Sequence, residues 1–156
     1  MEKKKTCSVT VSLVLCAAVF AVLSVILIRF RMLFGLYFGG YRGMDPASAA
    51  YTDLYKRLSQ CIYISIFLGY AALYALTSLL FRVRRGEIFV HANIRSLRML
   101  SALCFTVSAV TFLYGRFYMP LYIITAAACF FGVILTVIKD VFVNALRIRE
   151  ENDLTI

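Results

Sequence analysis

Four long apolar stretches, separated by connections that carry most of the Lys and Arg residues, constrain this chain more than any other feature. A helix needs roughly 20 apolar residues to cross the hydrocarbon layer of a bilayer, and each stretch comes close to that length. The sequence therefore predicts an all-α polytopic membrane protein with four transmembrane helices in one bundle. The predicted spans are residues 7–28, 58–81, 97–113 and 120–138.

The composition agrees with a membrane environment. Hydrophobic residues make up 62% of the 156 residues, more than a soluble core of this size could bury. The formal net charge of +9 would also suit a protein that binds nucleic acid. The cations, however, lie at the ends of the apolar stretches, where Lys and Arg reach lipid headgroups. We therefore expect the lipid bilayer as the main partner and no direct contact with nucleic acid.

The distribution of positive charge predicts the orientation. Of the 17 Lys and Arg residues, 11 lie at the N-terminus, in and beside the second connection (82–96) and in the C-terminal tail (139–156). The other six lie in the first and third connections. Positive residues are retained in the cytoplasm during insertion, so both termini are expected to be cytoplasmic.

The first connection, residues 29–57, has an unusual composition. The segment Phe30–Phe38 is apolar but interrupted by an arginine, and four glycines lie within it or shortly after it. This pattern predicts a segment that lies in the outer membrane interface rather than a continuation of the first span. Asp45 and Pro46 then suit the N-cap and first residue of a helix of about 36 residues, which would reach Phe81.

Eight of the ten tyrosines map to the outer connections or to the outer ends of the spans. One interpretation is an aromatic belt, because the phenol ring is amphipathic and favours the headgroup region. The other interpretation is an outward-facing pocket for an amphiphilic or anionic ligand. The candidate residues for that ligand face are Tyr55, Arg57, Arg116 and Tyr118.

No motif for catalysis, metal binding or nucleotide binding is present, so the sequence predicts neither an enzyme nor a cofactor. Apart from Arg98 at the start of the third span, the predicted spans contain no charged side chain, and none carries a carboxylate that could bind a coupling ion, which disfavours proton-driven transport. The lone His91 is expected to be a solvated loop residue, and the five cysteines suggest no disulfide framework.

The second connection and the tail are the candidate surfaces for a protein partner. Gly86 is expected to end the second helix, and Asn93 is expected to cap the third. The tail changes from acidic to apolar and then stops, without an evident structural need. The candidate partner-binding residues are Arg84, Arg85, Glu87, Phe89, Asn93 and Arg98 in and beside the connection, and Glu151, Asn152, Asp153, Leu154, Thr155 and Ile156 in the tail.

Three segments together resemble a known family. They are Gly86-Glu-Ile-Phe89, Asn93-Ile-Arg-Ser-Leu97-Arg98 and the ending Glu151-Asn-Asp-Leu-Thr-Ile156. The chain resembles, over its whole length, a bacterial family of four-span membrane proteins of unknown function, DUF2975. Members of that family are commonly encoded beside a small Cro/CI-type helix-turn-helix protein. The resemblance implies a location in the bacterial inner membrane and a cytoplasmic helix-turn-helix protein as partner.

These observations lead to two functional hypotheses. In the first, the chain is a non-enzymatic regulatory membrane protein that holds the helix-turn-helix regulator at the membrane. An outer or lipid-borne signal then releases the regulator. The alternative is a small transporter, or a protein of self-protection against membrane-active peptides or drugs, with its tyrosine-rich outer face as the contact surface. Either function is compatible with a homo-oligomer.

Overall fold

A computed structural model describes residues 2–86 and 90–153, and within them the ordered elements are all helical. Each of the four long helices contains an apolar window that is long enough to cross a membrane. The chain is therefore a multi-pass membrane protein, which confirms the predicted all-α fold with four spans. The elements are α1 (Glu2–Phe34), continued by a π-helical segment (Gly35–Tyr41), α2 (Ala49–Arg84), α3 (His91–Gly115) and α4 (Leu121–Asp153).

Helices that are consecutive in the chain pack against each other, and α3 and α4 share the largest contact. The connections alternate between two ends of the molecule. Residues 42–48 and 116–120 form the end that we call the tyrosine-rich end. Arg85, Gly86 and Val90, together with the beginning of α1 and the end of α4, form the other end, which we call the arginine-rich end.

The stretch 29–57 is not an interfacial loop, and the prediction for it is corrected. Only residues 42–48 lie outside helices, because α1 continues into the π-helical segment up to Tyr41. Phe30, Phe34 and Phe38 recur every four residues, so a helix presents them on one side. The rings of Phe30 and Phe34 meet α2, and the ring of Phe38 meets Tyr118 in the third connection. All three are among the most buried side chains, with exposures of 6%, 4% and 4%. Burial of these rings stabilises the helix that the nearby glycines would otherwise weaken.

The second helix begins three residues later than expected. Ser48 is its N-cap, and its hydroxyl accepts a hydrogen bond from the Tyr51 N–H at 3.2 Å. Asp45 instead closes the preceding turn, where its carboxylate accepts a hydrogen bond from the Ala47 N–H at 3.0 Å. The helix still has 36 residues, as predicted, and ends at Arg84.

The connection after α2 confirms one predicted helix signal and corrects another. Gly86 follows the helix with a φ of +83°, the left-handed conformation that favours glycine after a C-cap. Asn93, in contrast, is not the cap of α3. Val90 occupies that position in an extended conformation, and Asn93 lies within the first turn.

The pair α3–α4 is held by small and hydroxyl-bearing side chains. The Ser108 hydroxyl donates a hydrogen bond to the Thr125 carbonyl at 3.1 Å. The hydroxyls of Thr111 and Thr125 are 2.9 Å apart. Lipid tails are as apolar as leucine, so close packing and interhelical hydrogen bonds, rather than hydrophobic burial, drive helices together in a membrane. Gly115 and Gly132 fit this principle, because the rings of Tyr122 and Phe105 lie directly over them.

Candidate functional site

At the tyrosine-rich end, aromatic rings from several elements pack together in what we call the aromatic cluster. The rings of Phe34 and Phe38 are stacked, with centroids 4.4 Å apart. Tyr55 of α2 meets Phe34 edge to face at 5.1 Å and stacks on Phe30 at 5.8 Å. Offset and edge-to-face ring pairs contribute about 0.5–1.5 kcal/mol beyond their burial. The cluster therefore joins the π-helical end of α1 to α2.

Tyr118 connects the third connection to this cluster. Its hydroxyl donates a hydrogen bond to the Tyr37 hydroxyl at 3.1 Å, and its ring lies 5.6 Å from that of Phe38. The guanidinium of Arg42 lies 5.8 Å from the Tyr118 ring centroid. The hydrogen bond to Tyr37, together with burial, raises the pKa of Tyr118, although nearby Arg42 acts in the opposite direction.

The four residues predicted for an outer ligand face are thus only partly assembled. Tyr55 and Tyr118 both belong to the aromatic cluster, where Tyr55 contacts Phe30 and Phe34 and Tyr118 contacts Phe38. Arg57 forms an ion pair with Asp53 at 2.9 Å, and its guanidinium lies 4.3 Å from the Phe117 ring centroid. Arg116 follows α3 and is exposed. The tyrosines contact other residues of this chain, as expected of a packed aromatic layer, and the ligand face remains a prediction.

At the arginine-rich end, Arg82 ties the end of α2 to the first turn of α3. Its Nη1 donates hydrogen bonds to the Ala92 carbonyl at 3.1 Å and to the Ser96 hydroxyl at 3.0 Å. Ser96 itself is buried and donates a hydrogen bond to the same carbonyl. In the sequence, Arg82 is one of several arginines expected in the last turn of the second helix, where positive charge favours the helix dipole. No local pattern relates it to Ala92, so only the structure reveals this link.

A groove of about 580 Å³ opens between α2 and α3 beside this link. Its polar part contains two arginines and its apolar part contains residues nearer the centre of the helices. We call it the α2–α3 groove. The lining residues are Tyr74, Ala75, Ser78, Arg82, His91, Ala92, Arg95, Ser96 and Met99.

His91 is not a loop residue, because it is the first residue of α3. Its Nε2 lies 3.2 Å from a carboxylate oxygen of Glu150 in α4, and both side chains are largely exposed. An exposed pair of this kind contributes only about 0–1 kcal/mol, and it is an ion pair only while the imidazole is protonated. The pair is nevertheless informative about the structure, because it shows that the last turn of α4 lies beside the beginning of α3.

The predicted partner-binding residues fall into three groups. Arg84, Arg85, Arg98, Glu151 and Asn152 are exposed on helices α2–α4 or directly after α2. Asn93 is only 1% exposed, so its assignment to a partner surface is corrected. Its position in the first turn of α3 directs the side chain into the protein, where a partner cannot reach it. Asp153 ends α4, and Glu87, Phe89, Leu154, Thr155 and Ile156 lie outside the described residues.

The last part of α4 continues well beyond the predicted end of its span at Ile138. The sequence predicts this continuation, because the apolar residues Val141, Phe142, Ala145 and Ile148 recur at helical spacing. Val141 and Ile148 lie seven residues apart, and therefore on one side of the helix. They are 60% and 59% exposed. Leu146 is buried on another side, at 7% exposure. This part of α4 thus leaves apolar side chains exposed close to charged ones.

Within residues 2–86 and 90–153, no group of three His, Cys, Asp or Glu side chains lies close enough to hold a metal ion. A second groove of about 540 Å³, lined almost entirely by apolar side chains, lies between α1 and α2. The charged chemistry of the described chain is therefore concentrated at its two ends.

Comparison with known proteins identifies one family. The model of the family described as "Protein of unknown function (DUF2975)" matches residues 40–156. No curated protein matches the chain. No solved structure matches it either.

Proposed function

The chain belongs to the DUF2975 family of proteins of unknown function, and we propose that it is a non-enzymatic regulatory protein of the bacterial inner membrane. In this proposal its arginine-rich end faces the cytoplasm and holds a small helix-turn-helix transcription regulator at the membrane. A signal from outside or from the lipid releases the regulator.

The orientation in this proposal rests on the excess of Lys and Arg at the arginine-rich end. Inner-membrane proteins retain such residues in the cytoplasm during insertion. The beginning of α1 and the end of α4 both lie at this end, because the four helices alternate in direction. The tail and the second connection are then available to one cytoplasmic partner.

The observation that supports the partner surface most is the contact between His91 and Glu150. At 3.2 Å, it shows that the start of α3, directly after the second connection, lies beside the end of α4. The exposed guanidiniums of Arg84, Arg85 and Arg98 suit carboxylates of a partner, because arginine binds a carboxylate through two parallel hydrogen bonds. Exposed apolar side chains on α4 supply the area that a protein interface needs in its centre.

The arrangement of helices also suggests how a signal would cross the membrane. The helices α3 and α4 pack against each other from the third connection to the His91–Glu150 contact. A ligand that shifted α4 at the tyrosine-rich end would move Glu150 relative to His91. This separation of the two parts of the partner surface would release the regulator.

The direct test is co-purification. The tagged full-length chain is solubilised in a mild detergent, and the retained proteins are identified by mass spectrometry. We expect a DNA-binding protein in stoichiometric amount, and we expect its loss after deletion of residues 152–156. A truncated chain that inserts normally and retains the same regulator with unchanged affinity would exclude the tail as the docking element. Sensitivity to membrane-active peptides on deletion of the gene, with no protein partner, would favour self-protection instead.

Lysine substitutions at the exposed arginines test the carboxylate contacts. Lysine keeps the charge but lacks the planar fork, so Arg84→Lys, Arg85→Lys or Arg98→Lys should weaken retention of the regulator. The matched control is Arg116→Lys, an exposed arginine at the opposite end. Equal retention by all four variants would show that these arginines serve only membrane orientation.

Cysteine labelling tests the orientation independently of any partner. In a chain without its native cysteines, Ala47→Cys should react with an impermeant reagent added to intact cells. Asn144→Cys should react only after the membrane is opened, since both positions are exposed but lie at opposite ends. The reverse pattern would overturn the orientation.

A further inference from the structure

The described residues that line the α2–α3 groove include two arginines and no carboxylate, and the nearby Glu150 pairs with His91 at its edge. Arg82 and Arg95 both line it, together with the hydroxyl-bearing Ser78 and Ser96. Nη1 of Arg82 is used in the link to α3, whereas its other guanidinium nitrogens make no hydrogen bond to the described residues. None of the carboxylates in the described part of the chain pairs with either arginine. Guanidinium groups of this kind favour a phosphate, which they can bind through two hydrogen bonds each.

The deeper part of the same groove is apolar. Tyr74 lies eight residues before Arg82 in α2, and Met99 lies eight residues after His91 in α3. Each is therefore about 12 Å further from the arginine-rich end than Arg82 or His91 of its own helix. The buried Ala75 also lines this part of the groove. Tyr74 is 73% and Met99 45% exposed, which leaves this part of the groove open to the surrounding lipid. The groove therefore changes from cationic to apolar along the direction in which a lipid molecule lies.

We propose that the α2–α3 groove binds an anionic phospholipid of the leaflet at the arginine-rich end. The phosphate and its anionic headgroup lie between Arg82 and Arg95, and one acyl chain follows Tyr74 and Met99. The dipole of α3 also favours an anion here, because its N-terminal end lies in the groove. A free phosphate would use the arginines alone and leave the apolar part unoccupied. A lipid matches both parts.

This inference goes beyond the proposed function and does not depend on it. The groove uses Arg82 and Arg95, whereas the proposed partner surface uses Arg84, Arg85 and Arg98. Lipid binding is measured on the purified chain without a regulator, so failure of one proposal leaves the other intact.

The test compares two phospholipids with identical acyl chains, one with an anionic and one with a zwitterionic headgroup. The full-length chain is purified in a neutral detergent, and binding of phosphatidylglycerol and phosphatidylcholine with identical acyl chains is measured by native mass spectrometry. A parallel titration at about 0.15 M salt limits the effect of distant surface charges, which are screened beyond roughly 8 Å. We expect phosphatidylglycerol to bind at least about tenfold more tightly, the equivalent of one charge-assisted hydrogen bond.

Charge-removing variants locate the site. Arg95→Gln should weaken phosphatidylglycerol binding about tenfold, whereas Arg95→Lys, which keeps the charge, should weaken it less. The matched control is Arg147→Gln, which removes an exposed positive charge at the same end but outside the groove. Circular dichroism verifies that every variant keeps its helical content. Because Arg95 is exposed on α3, its replacement should leave the fold intact.

Three outcomes would overturn the proposal. They are equal binding of the two lipids, equal weakening by Arg95→Gln and Arg147→Gln, and displacement of the lipid by millimolar inorganic phosphate. The first would show that headgroup charge is not recognised. The second would indicate a general effect of surface charge. The third would identify a site for free phosphate or another soluble anion rather than for a lipid.

Discussion

Replacing Gly115 with alanine tests how closely α3 and α4 must approach. A Cβ atom at this position would lie 2.7 Å from Cε1 and 2.9 Å from Cζ of the Tyr122 ring. Ordinary carbon contacts are about 3.5–4.0 Å, so the ring or the helix must move by roughly 1 Å. The Tyr122 ring also meets Phe112 edge to face at 5.8 Å, which restricts its movement.

The magnitude follows from two opposing effects. Overpacking of a closely fitted site costs about 1–3 kcal/mol. Alanine gains up to about 1 kcal/mol over glycine in a helix interior, but less here because Gly115 is the last residue of α3. We therefore expect Gly115→Ala to lower the free energy of unfolding by about 1–2 kcal/mol. Gly40→Ala is the matched control, because a Cβ atom there meets nothing within 4 Å.

The assay is reversible unfolding in mixed micelles with an increasing fraction of denaturing detergent, followed by circular dichroism. A double-mutant cycle with Tyr122→Ala identifies the cause, since that substitution removes the ring atoms that the new Cβ would meet. Gly115→Ala should cost little in the Tyr122→Ala background. Equal costs in both backgrounds, or equal effects of Gly115→Ala and Gly40→Ala, would refute the argument.

Two further predictions concern polar contacts. Thr111→Val removes the hydroxyl that contacts the Thr125 hydroxyl between α3 and α4, and it should lower the free energy of unfolding by about 0.6–1.7 kcal/mol in the same assay. The control is Thr106→Val, which should leave the free energy of unfolding nearly unchanged, because the Thr106 hydroxyl bonds to a carbonyl of its own helix. Equal costs would argue against the interhelical bond. The second prediction concerns the hydrogen bond between Tyr118 and Tyr37, which raises the pKa of Tyr118. This hydrogen bond should contribute fully to the free energy of unfolding below pH about 10, and its contribution should be lost as the pH rises through the raised pKa of Tyr118. Absorbance titration should show that Tyr118→Phe removes one phenol that ionises above the ordinary range, and loss of an ordinary phenol instead would contradict this.

The spans were predictable from the sequence because the length and apolar character of a membrane helix are local properties of the chain. The helical tail after Ile138 and the helix stop at Gly86 were also readable from local patterns. The continuation of α1 through Gly35–Tyr41 was not. Glycines locally favour a loop, whereas the helix there is stabilised by burial of Phe34 and Phe38 against another element.

The candidate sites were predictable only as lists of side chains. Exposure of Arg84 and Arg98 agrees with the pattern of charges, but Asn93 was wrongly placed on the surface. Whether a residue in the first turn of α3 faces solvent depends on how that helix sits against its neighbours. Side-chain type and position in the chain carry no information on this.

The sequence by itself determined the helical class, the number of spans and the uneven distribution of charge, since each depends on residues close together in the chain. Tertiary structure decided which charges act together. Arg82 and Arg95 belong to different helices and meet in one groove only because α2 and α3 pack side by side. His91 and Glu150 are 59 positions apart in the chain and 3.2 Å apart in space. Contacts of this kind depend on the packing of whole helices, which no local pattern of residues encodes.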